Sequence, residues 1–246
     1  ATVQGRPSGT FGRVGCFSFH PRKSITTGEG GMIVGNDPND ERRLRSWRSH
    51  GVVIDPVPGK KQPFDLGDFD ELGYNYRLTD LQAAVGVAQM RKLTAIIERR
   101  REIAAYYKAQ LGGEPHLIAP AEPTGFCHTY QSYVLRVVPN GEEGGDPSEA
   151  EARRNRIMVK LAEQGIATRP GTHAVHTLKY FREKYGLKRT CCPNAYRAMT
   201  ASIALPLFPA MTQGQLEQVV AAVKRASEEI SSTEVSSNKA IAYSQA

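Results

Sequence analysis

Cysteine is scarce in this chain, and long hydrophobic runs are missing. The 246 residues include four cysteines. Cys16 and Cys127 stand alone, and Cys191 and Cys192 are adjacent, which is not the spacing of a zinc site. Structural burial is the expected fate of each. No segment approaches the roughly 20 consecutive apolar residues that a membrane-spanning helix needs. Ala1 to Gly15 is polar and Gly-rich and lacks the apolar core of a secretory signal, so a cytoplasmic setting is expected. There is no internal repeat.

What is present is ordinary. Hydrophobic residues make up 40% and charged residues 23%, the composition of a soluble globular protein with room for one large domain or two modest ones. The net charge of +7 suits an anionic small substrate or a generally basic surface. The basic residues are scattered, and the densest run, Arg99-Arg100-Arg101, lies on a helical stretch where a solvated face is expected. No nucleic-acid motif accompanies it, so neither a nucleic-acid nor a membrane partner is expected.

Three helices are marked by their caps. Thr79-Asp80-Leu81-Gln82 is a capping box, with Thr79 as N-cap and Gln82 at the third helical position. Apolar residues at helical spacing carry this helix on toward Leu111, where Gly112-Gly113 stops it. Asp146-Pro147-Ser148-Glu149 opens a second helix, which Gly165 ends. Thr212 opens a third. Strands are expected at Cys16–Phe19, Met32–Val34, Tyr133–Val138 and Ile166–Thr168. From Ser231 the polar, Ser-rich tail reads as disordered.

The segment from Cys16 to Val34 reads CFSFHPRKSITTGEGGMIV. Lys23 lies in a loop between two strands, among the hydroxyls of Ser18, Ser24, Thr26 and Thr27, and a Gly-rich turn follows. Hydroxyls and exposed backbone N–H groups suit a phosphate. A lysine there either contacts that phosphate, acts as a Schiff-base nucleophile, or is a surface residue of a turn. Further on, residues 169–176 read RPGTHAVH. His173 and His176 are candidates for a substrate contact, for a metal pair without an obvious third ligand, or for plain surface residues.

As a whole this string resembles the lysine segment of the DegT/DnrJ/EryC1/StrS sugar aminotransferases. The shared elements are Ser18-Phe19, then Lys23, then Thr27-Gly28-Glu29-Gly30-Gly31 before an apolar strand. Arg48-Ser49-His50-Gly51 and Gly73-Tyr74-Asn75-Tyr76-Arg77 resemble two further family elements. Leu205-Pro206-Leu207-Phe208-Pro209 resembles a third. The likeness spans nearly the whole chain except the tail and the insert around Gly141 to Gly145.

The resemblance implies an α/β fold of the aspartate-aminotransferase type (fold type I), with pyridoxal 5'-phosphate as cofactor. It implies that residues 1–95 are the C-terminal part of a large cofactor-binding domain. Residues 96–112 would be a linking helix, 113–230 a small α+β domain and 231–246 a tail. Lys23 would hold the cofactor and move protons, and Ser18 would bond its phosphate. Asn75 would reach the phosphate of a neighbouring subunit's cofactor across a homodimer interface. His20, Arg77, His173 and His176 would meet substrate, and Arg77 has a structural ion pair as its alternative. The reaction would carry an amino group from an amino acid, glutamate being the expected donor, to a nucleotide-linked keto-deoxy sugar. Lys23 argues against the dehydratases of the family, which have histidine there. Members of the family have more chain before this point, which supplies the Asp that pairs with the pyridine nitrogen. The chain is therefore expected to be a fragment of a longer enzyme or, alternatively, a truncated non-catalytic member.

Overall fold

A computed structural model describes residues 1–53, 68–139 and 145–244, and the side chains up to residue 230 outside the gaps. Most of the Gly141–Gly145 insert lies outside the described residues. The chain divides into two compact units, Ala1–Ile96 with Pro123–His128, and Ile97–Glu122 with Thr129–Ala246. Residues 123–128 thus group with the front of the chain, because Phe126–Cys127 forms a strand beside Thr2–Val3.

The first unit has two small sheets. Strands β1 (Thr2–Val3), β2 (Arg6–Pro7) and β6 (Phe126–Cys127) make one, in the order β2-β1-β6. Strands β3 (Val14–Ser18) and β4 (Gly31–Gly35) make the other, an antiparallel hairpin with Cys16 opposite Ile33 and Ser18 opposite Gly31. Helix α1 (Pro38–Trp47) is capped by Asp37, whose side chain accepts from the Asn39 N–H. Helix α2 (Asp80–Arg91) carries the expected capping box at Thr79. Among the described residues, this unit buries no hydrophobic side chain.

The helix expected to run unbroken to Leu111 is two helices. α2 ends at Arg91, Lys92 leaves helical register, and α3 (Leu93–Leu111) begins again. No Gly or Pro marks the break.

The second unit holds the core. Strands β5 (Leu117–Ile118), β7 (Tyr133–Val137), β9 (Ser202–Leu205) and β8 (Arg169–Pro170) form an antiparallel sheet in the order β5-β7-β9-β8. β7 alternates between buried and half-buried positions, with Tyr133, Leu135 and Val137 inward, the period-two pattern of a strand with one face in a core. Ile103, Ala104, Tyr107 and Leu111 of α3 pack into the same core. So do Ile157 and Leu161 of α4 (Pro147–Glu163) and Leu216 to Ile230 of α7 (Gln213–Ser244). The strand expected at Ile166–Thr168 lies slightly later, at Arg169–Pro170, where pairing with Ile203 and Ala204 is available.

Two short helices complete the unit, α5 (Lys179–Tyr185) and α6 (Pro193–Ala201). The buried Arg154 donates to the carbonyls of Met199 and Ser202, at 3.1 and 3.4 Å. It therefore satisfies the Met199 carbonyl, which the end of α6 leaves open, and joins the Gly171 N–H on that of Ser202. α7 continues to Ser244, through the tail whose composition suggests disorder. After Gly214 no Gly or Pro interrupts it.

The cysteines depart from expectation. Cys16, Cys191 and Cys192 are exposed and Cys127 is half-buried. Cys16 lies on the β3–β4 hairpin, whose strands are mostly exposed, Cys191 ends a short 3-10 turn and Cys192 stands at the N-cap of α6.

Candidate active site

The β3–β4 hairpin positions Lys23. Phe19 closes the strands by donating to the Gly30 carbonyl at 2.8 Å, and the loop between them folds back on Phe19. The Phe19 carbonyl accepts from the Thr27 N–H at 3.1 Å and from the Thr26 hydroxyl at 2.8 Å. Thr27 is buried, and its hydroxyl donates to the Glu29 carbonyl. Two of the glycines are required by conformation. Gly28 has φ +83° and Gly30 +153°, and a Cβ on Gly30 would fall 2.5 Å from Thr27 Oγ1. The Thr-Gly-Glu-Gly-Gly string is thus the local code for a tight return into β4.

His20-Pro21-Arg22-Lys23 forms a turn in which the Lys23 N–H donates to the His20 carbonyl at 2.9 Å, with Pro at the position its fixed φ favours. The Arg22 N–H donates to His20 Nδ1 at 3.1 Å. That places the neutral ring's proton on Nε2, which lies 3.9 Å from Glu29 Oε1. Ser18 Oγ accepts from the His20 N–H at 3.3 Å, and its O–H remains a donor. The Lys23 side chain is exposed and makes no hydrogen bond or ion pair among the described residues. Lys23, Ser18 and His20 therefore share one short loop. It offers a free amine, a hydroxyl donor and an imidazole held in one tautomer.

The second element of the first unit is a backbone ladder between residues 47–50 and 74–76. Tyr74 N–H donates to Trp47 O, His50 N–H to Tyr74 O and Tyr76 N–H to Arg48 O, at 2.7 to 2.8 Å. Two glycines permit this approach, since a Cβ on Gly73 would fall 2.0 Å from the Gly51 nitrogen. His50 sits in the left-handed region at φ +67° and its Nε2 accepts from Arg77 Nη1 at 2.9 Å. Arg77 thus has a histidine partner rather than the carboxylate that a structural ion pair would need. Asn75 is exposed, and Tyr74 and Tyr76 stack in parallel on the surface, with ring centroids 4.9 Å apart.

His173 and His176 lie in the second unit. His173 is exposed on the loop after β8, whereas His176 is only 6% exposed and its Nε2 donates to the Arg189 carbonyl at 3.1 Å. His176 thereby anchors the loop on which His173 stands. Among the described residues, no group of three His, Cys, Asp or Glu could hold a metal ion, and no helix is long and apolar enough to cross a membrane.

An apolar cavity of about 510 Å³ lies beneath the lysine loop, between Phe19, Ile25, Met32 and α2. Its walls are unsuited to a phosphate. A smaller cavity of about 280 Å³ opens in the second unit beside Arg169. Sequence reasoning missed it, although Arg169 stands at the head of the RPGTHAVH string. The Arg99–Arg101 run is not the solvated face that its charge predicts, since Arg100 is only 7% exposed.

Comparison with known proteins matches residues 1–224 to the DegT/DnrJ/EryC1/StrS aminotransferase family, and the chain belongs to that family. Its fold is that of the fold type I sugar aminotransferases. The uncharacterized protein MJ1066 of Methanocaldococcus jannaschii is 30% identical over 92% of this chain and 56% of its own length. The sugar aminotransferase Spr1654 of Streptococcus pneumoniae, described as putative and solved in its PMP-form, is 25% identical with a TM-score of 0.81. That match covers 93% of this chain and 56% of the neighbour. PseC of Helicobacter pylori, an aminotransferase involved in the biosynthesis of pseudoaminic acid, is 23% identical with a TM-score of 0.79, over 92% of this chain and 56% of its own. The chain thus spans little more than half the length of the relatives it matches.

Proposed function

We propose that the chain provides the lysine loop and the substrate-facing second unit of a pyridoxal-phosphate-dependent sugar aminotransferase. The reaction moves an amino group from an amino acid, glutamate being the donor we favour, to a nucleotide-linked keto-deoxy sugar. The observation that carries this reading is the Lys23 amine, exposed and without a bonding partner among the described residues, in the loop that closes the β3–β4 hairpin. A lysine kept for surface charge alone needs no loop of this construction. Further support comes from Spr1654, a relative solved in its PLP-form as well.

The residues present fit the cofactor. Lys23 Nζ supplies the amine for its carbonyl carbon, and the Ser18 hydroxyl is a free donor for its phosphate. When bound, pyridoxal phosphate supplies an electron sink for the substrate carbon. The chain's own work is positioning and proton movement. Lys23 Nζ takes a proton from one carbon and returns it to another. His20 belongs to the same loop, with its Nε2 near Glu29. Arg77, steadied by His50, faces anionic substrate, and so does His173 on the loop that His176 anchors.

We further propose a homodimer in which Asn75 serves the partner's phosphate. Tyr76 is 72% exposed and Leu81 83% exposed. α2 buries no residue although it is apolar on most sides, and a helix of that character is normally covered. A cytoplasmic setting goes with a substrate of this kind. The direct test is to mix the purified chain with pyridoxal phosphate and compare it with Lys23→Ala. The expected result is a visible absorbance band that the variant lacks, with a pyridoxyl adduct on Lys23 after borohydride reduction. A folded wild-type chain without the adduct would support the non-catalytic alternative.

A further inference from the structure

The cavity of about 280 Å³ in the second unit lies at the end of the sheet where β7 begins, β9 finishes and β8 opens. Gln131 and Ser132 approach it from β7, Thr168 and Arg169 from β8, and Leu205 and Leu207 from β9 and its exit. None of the residues lining it is acidic. The Arg169 side chain is exposed and has no hydrogen bond or ion pair among the described residues. The edge strand that carries it is fixed, because the Gly171 N–H donates to Ser202 Oγ at 3.1 Å.

A second guanidinium stands behind the same walls. Arg100 is buried, and its Nη1 donates to the carbonyls of Tyr130 and Gln131 at 3.1 Å and of Leu207 at 3.3 Å. It thereby ties the β7 side of the cavity to the β9 side. No carboxylate bonds Arg100 among the described residues. The nearby Glu122 is engaged with Arg101 at 2.9 Å. A buried cation compensated only by carbonyl dipoles leaves positive potential on its surroundings. The cavity therefore combines an arginine without a partner among the described residues in its lining, a buried guanidinium behind it, two hydroxyl side chains, and no acidic lining residue.

We propose that this cavity binds an oxyanion of a substrate, with Arg169 as its main ligand and Ser132 and Thr168 as supporting donors. Arg100 acts as a positioning residue that fixes the walls and holds the field positive. Guanidinium suits carboxylate and phosphate alike through paired N–H donors. The possible sources are the carboxylate of the amino donor and the diphosphate of the sugar nucleotide. Naming those two sources rests on the aminotransferase reading, but the anion site itself does not.

The test is calorimetric titration of the full chain, without pyridoxal phosphate and at low salt, with L-glutamate and with UDP as probes. Arg169→Gln is the variant. Arg182→Gln, at an exposed arginine elsewhere in the second unit, controls for general charge. The expected result is that at least one probe binds and that R169Q weakens it by about tenfold or more, the range of a lost charge-assisted pair. R182Q should bind like wild type. Binding of UDP alone assigns the diphosphate, of glutamate alone the carboxylate, and of both an unselective oxyanion site. Failure of both probes to bind, or equal losses in R169Q and R182Q, would overturn the proposal. Attachment of pyridoxal phosphate to Lys23 is read separately. A chain that fails that assay but titrates through Arg169 would lose the aminotransferase reading and keep the anion site.

Discussion

Side chains in this protein are best judged by what their polar atoms touch. Tyr133 and Tyr107 lie together in the core with ring centroids 5.1 Å apart, and burial pushes both phenols above their ordinary pKa. They differ in bonding. Tyr107 donates to the Pro206 carbonyl at 2.9 Å, whereas the buried Tyr133 hydroxyl has no partner among the described residues. Leaving a buried polar group unpaired costs roughly 1–3 kcal/mol, and a satisfied bond contributes about 1 kcal/mol. Tyr133→Phe should therefore unfold at the same urea concentration as wild type or a higher one. Tyr107→Phe should lose about 1 kcal/mol. A second residue-scale prediction concerns pH. Trp47, the one tryptophan of the sequence, donates to Glu71 at 2.6 Å and lies under Arg43. The bond from Trp47, with help from Arg43, lowers the Glu71 pKa below its ordinary 4.5. A depressed carboxylate keeps its bond above that lowered value and loses it as pH falls through it. Trp47 fluorescence should hold steady down to about pH 4.5 and change only below it. Glu71→Gln should abolish the transition.

At the scale of elements, the caps and the lysine string were legible in the sequence because their chemistry is local. The capping box at Thr79, the Asp146 cap and the Thr212 cap each need only residues within one turn. The Gly28 and Gly30 positions follow from the same kind of short-range geometry. What could not be read depends on distant partners. The two-residue strand β6 exists only because Cys127 meets Thr2, and no periodicity announces a pair that short. The break at Lys92 has no Gly or Pro to mark it. Arg100 looked like part of a solvated run, because its carbonyl acceptors lie 30 to 107 residues away. Arg154 is a similar case. It spans from α4 to the end of α6, and Arg154→Leu should strand the Met199 carbonyl, while the Ser202 carbonyl keeps the Gly171 N–H at 3.3 Å. We expect a loss of about 1–3 kcal/mol in denaturant unfolding. A change near zero would mean that water satisfies that carbonyl equally well.

At the scale of the whole molecule, the two units are unlike each other. The second carries the hydrophobic core, and the first carries the lysine loop with little buried apolar surface of its own. Tyr76, Leu81, Val85, Val87 and Met90 are all exposed there, a concentration of apolar surface that normally marks a contact with another chain. If a second copy covers it, sedimentation should find a dimer, and Leu81→Asp should shift the chain toward monomer by desolvating a carboxylate in the interface. A monomeric wild-type chain would remove the shared-site role proposed for Asn75.

Amino transfer through Lys23 can be read by giving L-glutamate to the chain preloaded with pyridoxal phosphate and quantifying the 2-oxoglutarate released in a single turnover. Release should be proportional to the cofactor bound on Lys23, with none from Lys23→Ala. A chain that carries the cofactor on Lys23 yet releases no 2-oxoglutarate, from glutamate or from any other amino acid offered, would contradict it.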